Sequence, residues 1–241
     1  MNFNEIPLLS FARKRTDVSR NIQVIEEIFS PLKGKKILDV GCGRGALLNA
    51  LANRLAQPTG IDVNKQSLLE AQRRCPQTEV VLAGARDMVF VENHFDGTVF
   101  LNTLHHIPRE EIHKGLENSL RFTKSKHPVL ILEPLNFGSF FEVFKPLEDE
   151  TQVCQNALIA LHEFIEGQKG RLLDAFEYMT FIRVSSIERI IAEAISVDPS
   201  REKKAGLVSD EMTGLFNQHV QEQDGYKVLE QPMIAFVLTE F

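Results

Sequence analysis

Short apolar runs alternate with helix-like segments along the first half of the chain. Each run is rich in Val, Ile, Leu or Phe and is too short for a helix, so each predicts a buried strand. These runs are Lys36–Val40, Gly60–Val63, Thr78–Leu82, Gly97–Leu101 and Val129–Leu132. Strands that alternate with helices indicate βαβ units, and right-handed crossovers favour a doubly wound, mostly parallel sheet.

The segments between these strands carry apolar residues three and four positions apart, the spacing of one helix face. Such stripes run from Ala46 to Leu55, from Leu68 to Ala71 and from Ile112 to Leu120. Asn64 is a good N-cap for the second helix, and Pro108 suits the start of the third. A further helical segment, Glu5–Ser30, is expected before the first strand.

The pattern changes after residue 136, where helical spacing predominates. We expect a helix that ends at Gly167, a helix that opens at the capping box Ser185–Glu188, and a helix over Ser209–Gln223. Arg201–Lys204 is predicted to be a solvated loop, and Pro232–Leu238 returns to strand character. We therefore predict one domain over residues 1–241, with a helical cap inserted over 137–225.

Composition narrows the class of protein. The chain has 241 residues, 27 Lys and Arg against 33 Asp and Glu, and a net charge of −6. The acidic balance argues against a nucleic-acid partner, because phosphate binding needs clustered cations. The longest apolar runs, Ala157–Leu161 and Met233–Leu238, fall far short of the ~20 residues that span a membrane.

Other features point to the cytoplasm. The basic residues Arg13–Arg15 follow Met1–Ser10 instead of preceding an apolar run, which is the wrong order for a secretory signal. Cys42, Cys75 and Cys154 are widely spaced and odd in number, so we expect reduced thiols and no metal site. The expected partner is a small molecule, and the oligomeric state stays open.

The most informative segment is Ile37–Gly45, where a strand runs into three glycines and then a helix. Glycines let a ligand approach the main chain, and the helix start offers free N–H groups. In an open α/β sheet this crossover lies beside the topological switch point, where ligands bind.

Two interpretations of this loop compete. Gly41, Gly43 and Ala46, followed by Asp62, fit a dinucleotide fingerprint and would indicate a nicotinamide-dependent oxidoreductase. The other interpretation also uses Asp39, which sits badly beside a pyrophosphate and well beside an ammonium group. It indicates a ligand with an adenosine end and a zwitterionic end, which describes S-adenosyl-L-methionine.

The chain resembles the class I S-adenosylmethionine-dependent methyltransferases over about Lys35–Leu135. Four motifs carry this resemblance in order: Ile37–Gly45, Gly60–Asn64, Phe95–Phe100 with Leu104–Pro108, and Leu130–Pro134. The resemblance implies a Rossmann-like α/β fold with a seven-stranded sheet whose last strand is antiparallel. Ile234–Thr239 is the candidate for that last strand.

The resemblance also implies the cofactor contacts. They are Asp39, Gly41, Cys42, Gly43, Gly45, Asp62, Val63, Gly84, Ala85, Phe100 and Leu101, with Asp62 on the ribose hydroxyls. The chain departs from the family at Gly84, where many relatives carry an Asp that accepts a hydrogen bond from the adenine amino group. Asp87 is one substitute; backbone groups with apolar contacts from Val63, Ala85 and Met88 are the other.

The implied reaction is methyl transfer to a small organic acceptor through O, N or C, with S-adenosyl-L-homocysteine as product. His105, His106 and Glu133 are the candidate catalytic residues, since they lie at strand ends and histidine is the usual base near neutral pH. Glu133 could instead be a buried structural carboxylate. The alternatives are a non-methylating enzyme with the same cofactor, a nicotinamide-dependent oxidoreductase and a non-catalytic partner-binding module.

Aromatic residues are dense after the fifth strand, at Phe137–Phe144, and recur at Phe176, Tyr178 and Phe181. They fit either an apolar lid over an acceptor or ordinary core packing of helices on the sheet.

Overall fold

A nine-stranded sheet organises residues 6–241, the part of the chain that the computed structural model describes. The strands are β1 (Arg13–Lys14), β2 (Lys36–Val40), β3 (Gln57–Asp62), β4 (Glu79–Leu82), β5 (Gly97–Leu101), β6 (Val129–Pro134), β7 (Arg171–Arg183), β8 (Gln221–Gln223) and β9 (Tyr226–Thr239). Their order is β1-β7-β9-β6-β5-β2-β3-β4, and β8 pairs with one end of β9. Without the short strands β1 and β8, this is the expected seven-stranded, Rossmann-like sheet.

The expected antiparallel last strand is confirmed. β2, β3, β4, β5 and β6 run parallel to one another, whereas β9 is antiparallel to both β6 and β7. All five strands predicted in the first half are present, although β3 begins earlier, at Gln57, and β6 extends to Pro134.

Eight α-helices accompany the sheet in the described residues. They are α1 (Asn21–Phe29), α2 (Ala46–Ala52), α3 (Lys65–Arg74), α4 (Arg109–Phe122), α5 (Ser139–Phe144), α6 (Thr151–Glu166), α7 (Ile187–Val197) and α8 (Glu202–His219). Alternate strand residues feed opposite cores: Ile37 packs with α1 and α2, and Leu38 packs with α4 and α6. Both faces of the central strands are therefore covered.

The prediction of a helical cap over 137–225 is wrong in one respect, because this segment also contains the strand β7. Along β7, Phe176, Tyr178 and Thr180 are buried, while the alternating neighbours Glu177 and Met179 are only partly so. This period of two is the signal of a half-buried strand. The remaining helices α5, α7 and α8 share a separate apolar cluster around Val143, Ile190 and Met212.

The expectation of one helix over Glu5–Ser30 is also wrong. Glu5 lies outside the described residues, Pro7–Phe11 forms a 3₁₀ turn, and α1 begins only at Asn21. Between them, Arg13 and Lys14 extend as β1 and pair with β7 at Phe176 and Glu177. A free sheet edge thus draws this segment into extended structure.

Two boundaries in the cap also differ from prediction. Arg201–Lys204 is no solvated loop, because Arg201 ends a 3₁₀ turn and pairs with Glu148, and Glu202 begins α8. The last helix ends at His219 rather than Gln223, because Gln221–Gln223 pairs with β9 in a tight hairpin. Asp224 and Gly225 form its turn with φ of 52° and 77°, the left-handed pair that favours Asp-Gly.

The predicted end of α6 is confirmed, and α7 begins within the predicted capping box but with Ser186 instead of Ser185 as its N-cap. α6 ends where Gly167 follows it, and Ser186 caps α7 by accepting a hydrogen bond from the N–H of Arg189 at 3.4 Å. Within residues 6–241, no helix combines the length and the apolar composition that a membrane crossing requires.

Candidate active site

A cavity of about 360 Å³ lies at the carboxyl ends of β2, β3, β4 and β5. Its wall includes the predicted cofactor residues Gly41, Gly43, Asp62, Val63, Gly84 and Ala85. Four strand ends that are distant in sequence thus meet around one space. We refer to it as the first cavity.

Backbone conformation explains the glycines of the loop after β2. Gly41, Gly43 and Gly45 have φ of 74°, 50° and 76°, in the left-handed region that favours glycine. A Cβ on Gly41 would lie 2.3 Å from Cγ2 of Thr103, and one on Gly45 would lie 3.0 Å from the backbone of Ala71. The loop therefore turns sharply and leaves its main chain open to the first cavity.

Asp62, at the end of β3, ties this loop down. Its Oδ2 accepts a hydrogen bond from the N–H of Gly43 at 2.8 Å, and its Oδ1 accepts one from the N–H of Asn64 at 2.7 Å. A carboxylate has about four acceptor sites, so two remain for a ligand's hydroxyl groups. This position fits the predicted ribose contact.

Asp39 is buried just behind the loop, with 2% of its surface exposed. Among the described residues, its Oδ2 has no hydrogen-bond partner. Desolvation, and next the charge of Asp62, raise its pKa to about 8. Two carboxyl groups near one another without a cation form a site that a positively charged ligand would relieve.

The other predicted cofactor residues lie behind the cavity wall. Cys42 packs so closely on Gly60 that a Cβ there would lie 2.7 Å from its Sγ, and burial raises its thiol pKa well above the ordinary value. Phe100 is fully buried, Leu101 packs against the other core, and Gly45 contacts α3. Cys42 and these three shape the loop from behind.

Gly84 leaves room in the first cavity. A Cβ at this position would meet only Cγ1 of Val63, at 3.5 Å, which is ordinary contact. The side chain of Asp87 is well exposed and lies close to Arg86. The backbone of Gly84 and Ala85, with Val63, forms part of the wall of the first cavity.

The structure adds cavity residues that were not among the predicted cofactor contacts. They are Val40, Ile61, Asn64, Ser67, Ala83, Asn102, Thr103, His106, Ile107, Pro108, Glu111 and Val197. Asn102 directly follows β5, and that position was its only signal in the sequence. Val197 comes from α7, and no local pattern could have indicated it.

A second cavity, of about 210 Å³, adjoins the first. Asn102 and His106 border both cavities. Its other walls come from the turn after β5, the end of β6, α5, α6, β7, β9 and the loops beside α5. The residues are His105, Pro134, Asn136, Phe140, Phe141, Phe144, Glu148, Glu150, Cys154, Ile182 and Gln231. It is therefore polar on the histidine side and aromatic on the other.

Glu133 holds the turn that carries both histidines. Its Oε1 accepts hydrogen bonds from the N–H groups of Thr103 and Leu104, both at 2.9 Å. Its Oε2 accepts one from the backbone N–H of His105 at 3.3 Å and lies 2.5 Å from Nδ1 of that ring. Glu133 is thus buried, and its hydrogen bonds fix the orientation of His105.

The pKa values of His105 and His106 are shifted in opposite directions. Desolvation lowers the pKa of His105, but the charge and hydrogen bond of Glu133 outweigh it and leave the pKa raised. Burial alone would raise the pKa of Glu133; the charge and hydrogen bonds of His105 outweigh that and lower it. Desolvation, with the charge of His105, lowers the pKa of His106 to about 4.

The second ring nitrogen of His105, Nε2, lies 4.0 Å from Oε1 of Glu150. Donor atoms of His105, His106 and Glu150 come within 4.8 Å of one another, so this cluster is also the place where a cation could be held. The sequence predicts no metal site here.

The sequence left two roles open for the aromatic residues, a lid over an acceptor and core packing. In the structure some of these residues line a cavity and others are buried in the core. Phe140, Phe141 and Phe144 line the second cavity. Phe176 and Tyr178 are buried in the core beside α1. Phe181 is partly buried on β7, and Phe137 is 47% exposed.

Arg44 connects the glycine loop to the cap. It lies 3.1 Å from Glu70 on α3 and donates hydrogen bonds to Oγ of Ser196, at 3.0 Å, and to the carbonyl oxygen of the same residue. Since Ser196 and Val197 belong to α7, this helix borders the first cavity.

Comparison with known proteins agrees with this geometry. Residues 37–126 match the family model described as a methyltransferase domain. Over 92 residues the chain is 35% identical to the ubiquinone biosynthesis O-methyltransferase of Alkalilimnicola ehrlichii, covering 36% of this chain and 37% of that one. The chain thus matches little more than a third of the length of this relative.

Solved structures extend the likeness to the whole sheet. A candidate methyltransferase from Bacillus halodurans C-125 superposes with a TM-score of 0.59 at 16% identity, over 90% of this chain and 97% of that one. The [4+2]-cyclase SpnF gives a TM-score of 0.56 at 17% identity, over 95% and 86%. Identities this low show the fold alone, and a cyclase among the neighbours illustrates that one fold hosts several chemistries.

Proposed function

Because this chain belongs to the class I S-adenosylmethionine-dependent methyltransferases, we propose that it transfers a methyl group to a small organic acceptor. S-adenosyl-L-methionine is the cofactor, and it supplies an electrophilic methyl group on a sulfonium. The observation that carries the proposal is the buried carboxyl of Asp39, which lacks a cationic partner behind a glycine-rich loop.

The residues around the first cavity fit this cofactor part by part. Asp39, with Asp62, favours the ammonium group of the methionine end. Asp62 has acceptor sites left for the ribose hydroxyls, and the backbone at Gly84 and Ala85 with Val63 forms a wall for adenine. A pyrophosphate would meet these carboxylates instead, which argues against a dinucleotide.

The second cavity takes the acceptor in this proposal. It shares Asn102 and His106 with the first, so a ligand in each would meet at these residues. Such an arrangement aligns two reactants and excludes water, which is most of what a methyl displacement requires. Segment 137–225 then acts as a cap within one domain, with α5 over the acceptor.

His105 is the proton acceptor in this proposal, and Glu133 is its positioning residue. Glu133 engages Nδ1 and leaves Nε2 towards the second cavity. The pair makes His105 a stronger base than an isolated histidine. The resemblance to ubiquinone biosynthesis O-methyltransferases favours an oxygen atom as the acceptor.

Thermal-shift titration with S-adenosylhomocysteine, NAD(H) and NADP(H) tests the cofactor. At 100 times its dissociation constant, a ligand adds roughly 2.7 kcal/mol, which raises the melting temperature by about 5–11 °C for a chain of this length. We expect the rise with S-adenosylhomocysteine only, and its loss in Asp62→Ala. A rise with a nicotinamide cofactor alone would overturn the proposal.

Methyl transfer itself is tested with S-adenosylmethionine labelled at the methyl group and a panel of phenols, amines and enols. Label in the acceptor supports the proposal. Repeating the assay after dialysis against EDTA tests whether a cation bound by His105, His106 and Glu150 takes part in the reaction. Cofactor turnover with no label in any product would favour a non-methylating reaction, and cofactor binding with no turnover would favour a binding module.

A further inference from the structure

Two adjacent histidines and one glutamate meet at the wall of the second cavity. Donor atoms of His105, His106 and Glu150 lie within 4.8 Å of one another, and all three residues line that cavity. The histidines belong to the 3₁₀ turn Leu104–His106 after β5, whereas Glu150 immediately precedes α6. The fold therefore brings together three metal-ligating side chains that no local sequence motif connects.

His105 has the orientation that is usual for a histidine ligand in a metal site. Its side chain is 2% exposed, and its Nδ1 lies 2.5 Å from Oε2 of Glu133. A carboxylate on one ring nitrogen fixes the ring and leaves the other nitrogen for a metal ion. That other nitrogen, Nε2, lies 4.0 Å from Glu150 and forms no hydrogen bond within residues 6–241. A buried nitrogen without a hydrogen-bond partner thus faces the cluster.

The separation of the donor atoms suits a small cation. Nitrogen and oxygen ligands lie about 2.0–2.2 Å from Zn²⁺, so in a tetrahedral site two of them are about 3.4 Å apart. The 4.0 Å between Nε2 of His105 and Oε1 of Glu150 is only slightly wider. His106 and Glu150 are less buried than His105, so rotation of their side chains can bring the donor atoms to this separation.

The charges around the cluster favour a cation. The carboxylates of Glu133, Glu148 and Glu150 all lie near His105. Arg201 pairs with Glu148 and offsets one of the three charges. Among the described residues, no Lys or Arg nitrogen lies within 4.0 Å of Glu150. Two negative charges thus remain beside two imidazole rings, which is a favourable environment for a divalent ion.

We propose that His105, His106 and Glu150 bind one divalent cation of the zinc class, with Nε2 as the ligand atom of His105. Two imidazoles and one carboxylate are a ligand set that zinc accepts, and in such sites a fourth position stays open. Because all three ligands line the second cavity, a molecule in that cavity can reach the open position.

The consequence for catalysis rests on the proposed function. Nε2 of His105 cannot hold a cation and accept a proton at the same time. The cation-bound state and the proton-accepting state of His105 are therefore alternatives, and methyl transfer with and without EDTA distinguishes them.

Titration of metal-free protein with Zn²⁺ tests the site without any acceptor. The protein is dialysed against EDTA and then against buffer, and Zn²⁺ binding is followed by competition with a chromophoric chelator. We expect one equivalent to bind with submicromolar affinity. Co²⁺ in its place should give the intense visible absorption of a four- or five-coordinate ion. A thiolate-to-Co²⁺ band in the near ultraviolet would assign the ion to a cysteine and overturn the inference.

Variants then locate the bound ion. His106→Gln and Glu150→Gln each remove one ligand and should weaken Zn²⁺ binding about 100-fold, because even partners outside the ligand shell are worth 10–100-fold. His162→Gln/Glu166→Gln changes the same residue types on α6, outside the second cavity, and should leave the affinity unchanged. Circular dichroism and the melting temperature confirm that each variant is folded.

Three results would contradict the inference. They are the absence of a tightly bound equivalent, an affinity that survives both His106→Gln and Glu150→Gln, and an equivalent that is lost in His162→Gln/Glu166→Gln. Failure of S-adenosylhomocysteine to bind would instead overturn the proposed function. The Zn²⁺ titration contains no cofactor, so the two failures are distinguishable.

Discussion

Replacing Asp39 by Asn should change how the stability of the protein depends on pH. The carboxyl of Asp39 has a pKa of about 8 in the folded protein, against 3.8 in an exposed chain, because burial and the charge of Asp62 oppose ionisation. Between these two values the folded protein holds a proton that the unfolded chain has released. Raising the pH therefore favours the unfolded chain.

The size of the effect follows from linkage. Within this window each pH unit costs the folded state about 1.4 kcal/mol, so from pH 5 to pH 7 the loss is about 2.7 kcal/mol. Asn cannot ionise, and it keeps nearly the same volume. The unfolding free energy of Asp39→Asn minus that of the unaltered protein should thus increase by about 2.7 kcal/mol over this range.

Urea denaturation without ligand, at pH 5, 6 and 7, measures this difference, since contributions from other groups cancel. A difference that stays constant from pH 5 to pH 7 would refute the reasoning. It would mean that Asp39 is ionised in the folded protein at pH 5.

Ligand binding provides an independent check on the same carboxyl. If the ammonium group of S-adenosylhomocysteine binds ionised Asp39, its affinity should rise roughly tenfold between pH 6 and pH 7, while the ammonium itself stays protonated. In Asp39→Asn the affinity should be weaker and nearly independent of pH. A pH-independent affinity in the unaltered protein would exclude the contact.

Three further predictions address neighbouring positions. Gly84→Asp should tighten binding of S-adenosylhomocysteine about fivefold by adding one hydrogen bond to adenine, worth about 1 kcal/mol; Gly84→Ala is the control, and equal affinities of the two variants in calorimetry would contradict it. Glu133→Gln should lower the free energy of unfolding, as measured by urea denaturation, by about 1.5–3 kcal/mol, because the oxygens of Glu133 accept several hydrogen bonds in a buried site. An unchanged free energy of unfolding would show that the charge of Glu133 contributes nothing. Cys42 and Cys154 should resist iodoacetamide at pH 8 in the native protein, since burial raises the pKa of both thiols; mass spectrometry should find them labelled only after denaturation, and rapid native labelling would count against the packing.

The parallel part of the sheet could be predicted because its signal is local. β2 and β6 are buried on both faces, and a strand so placed must be apolar almost throughout. The glycines of the loop after β2 were predictable for the same reason, since a positive φ such as that of Gly41 is a local preference for glycine.

The features that could not be predicted depend on distant partners. β7 mixes charged and aromatic residues, and only its pairing with β9 and β1 makes it a strand. β1 is too short for any pattern. Whether Glu133 is structural depends on the turn after β5 coming within 2.9 Å of its oxygen, which composition does not indicate.

The position of β9 has a consequence for how the protein is made. β9 follows every other strand along the chain, yet it lies between β6 and β7 in the interior of the sheet. During synthesis, β6 and β7 therefore leave the ribosome before the strand that joins them. Until β9 follows, each of them has an unpaired strand edge. The long separation in sequence between these partners also slows closure of the sheet. A nascent chain halted before Tyr226 should therefore bind chaperones. The sheet is completed only when β9 has left the ribosome and paired with β6 and β7.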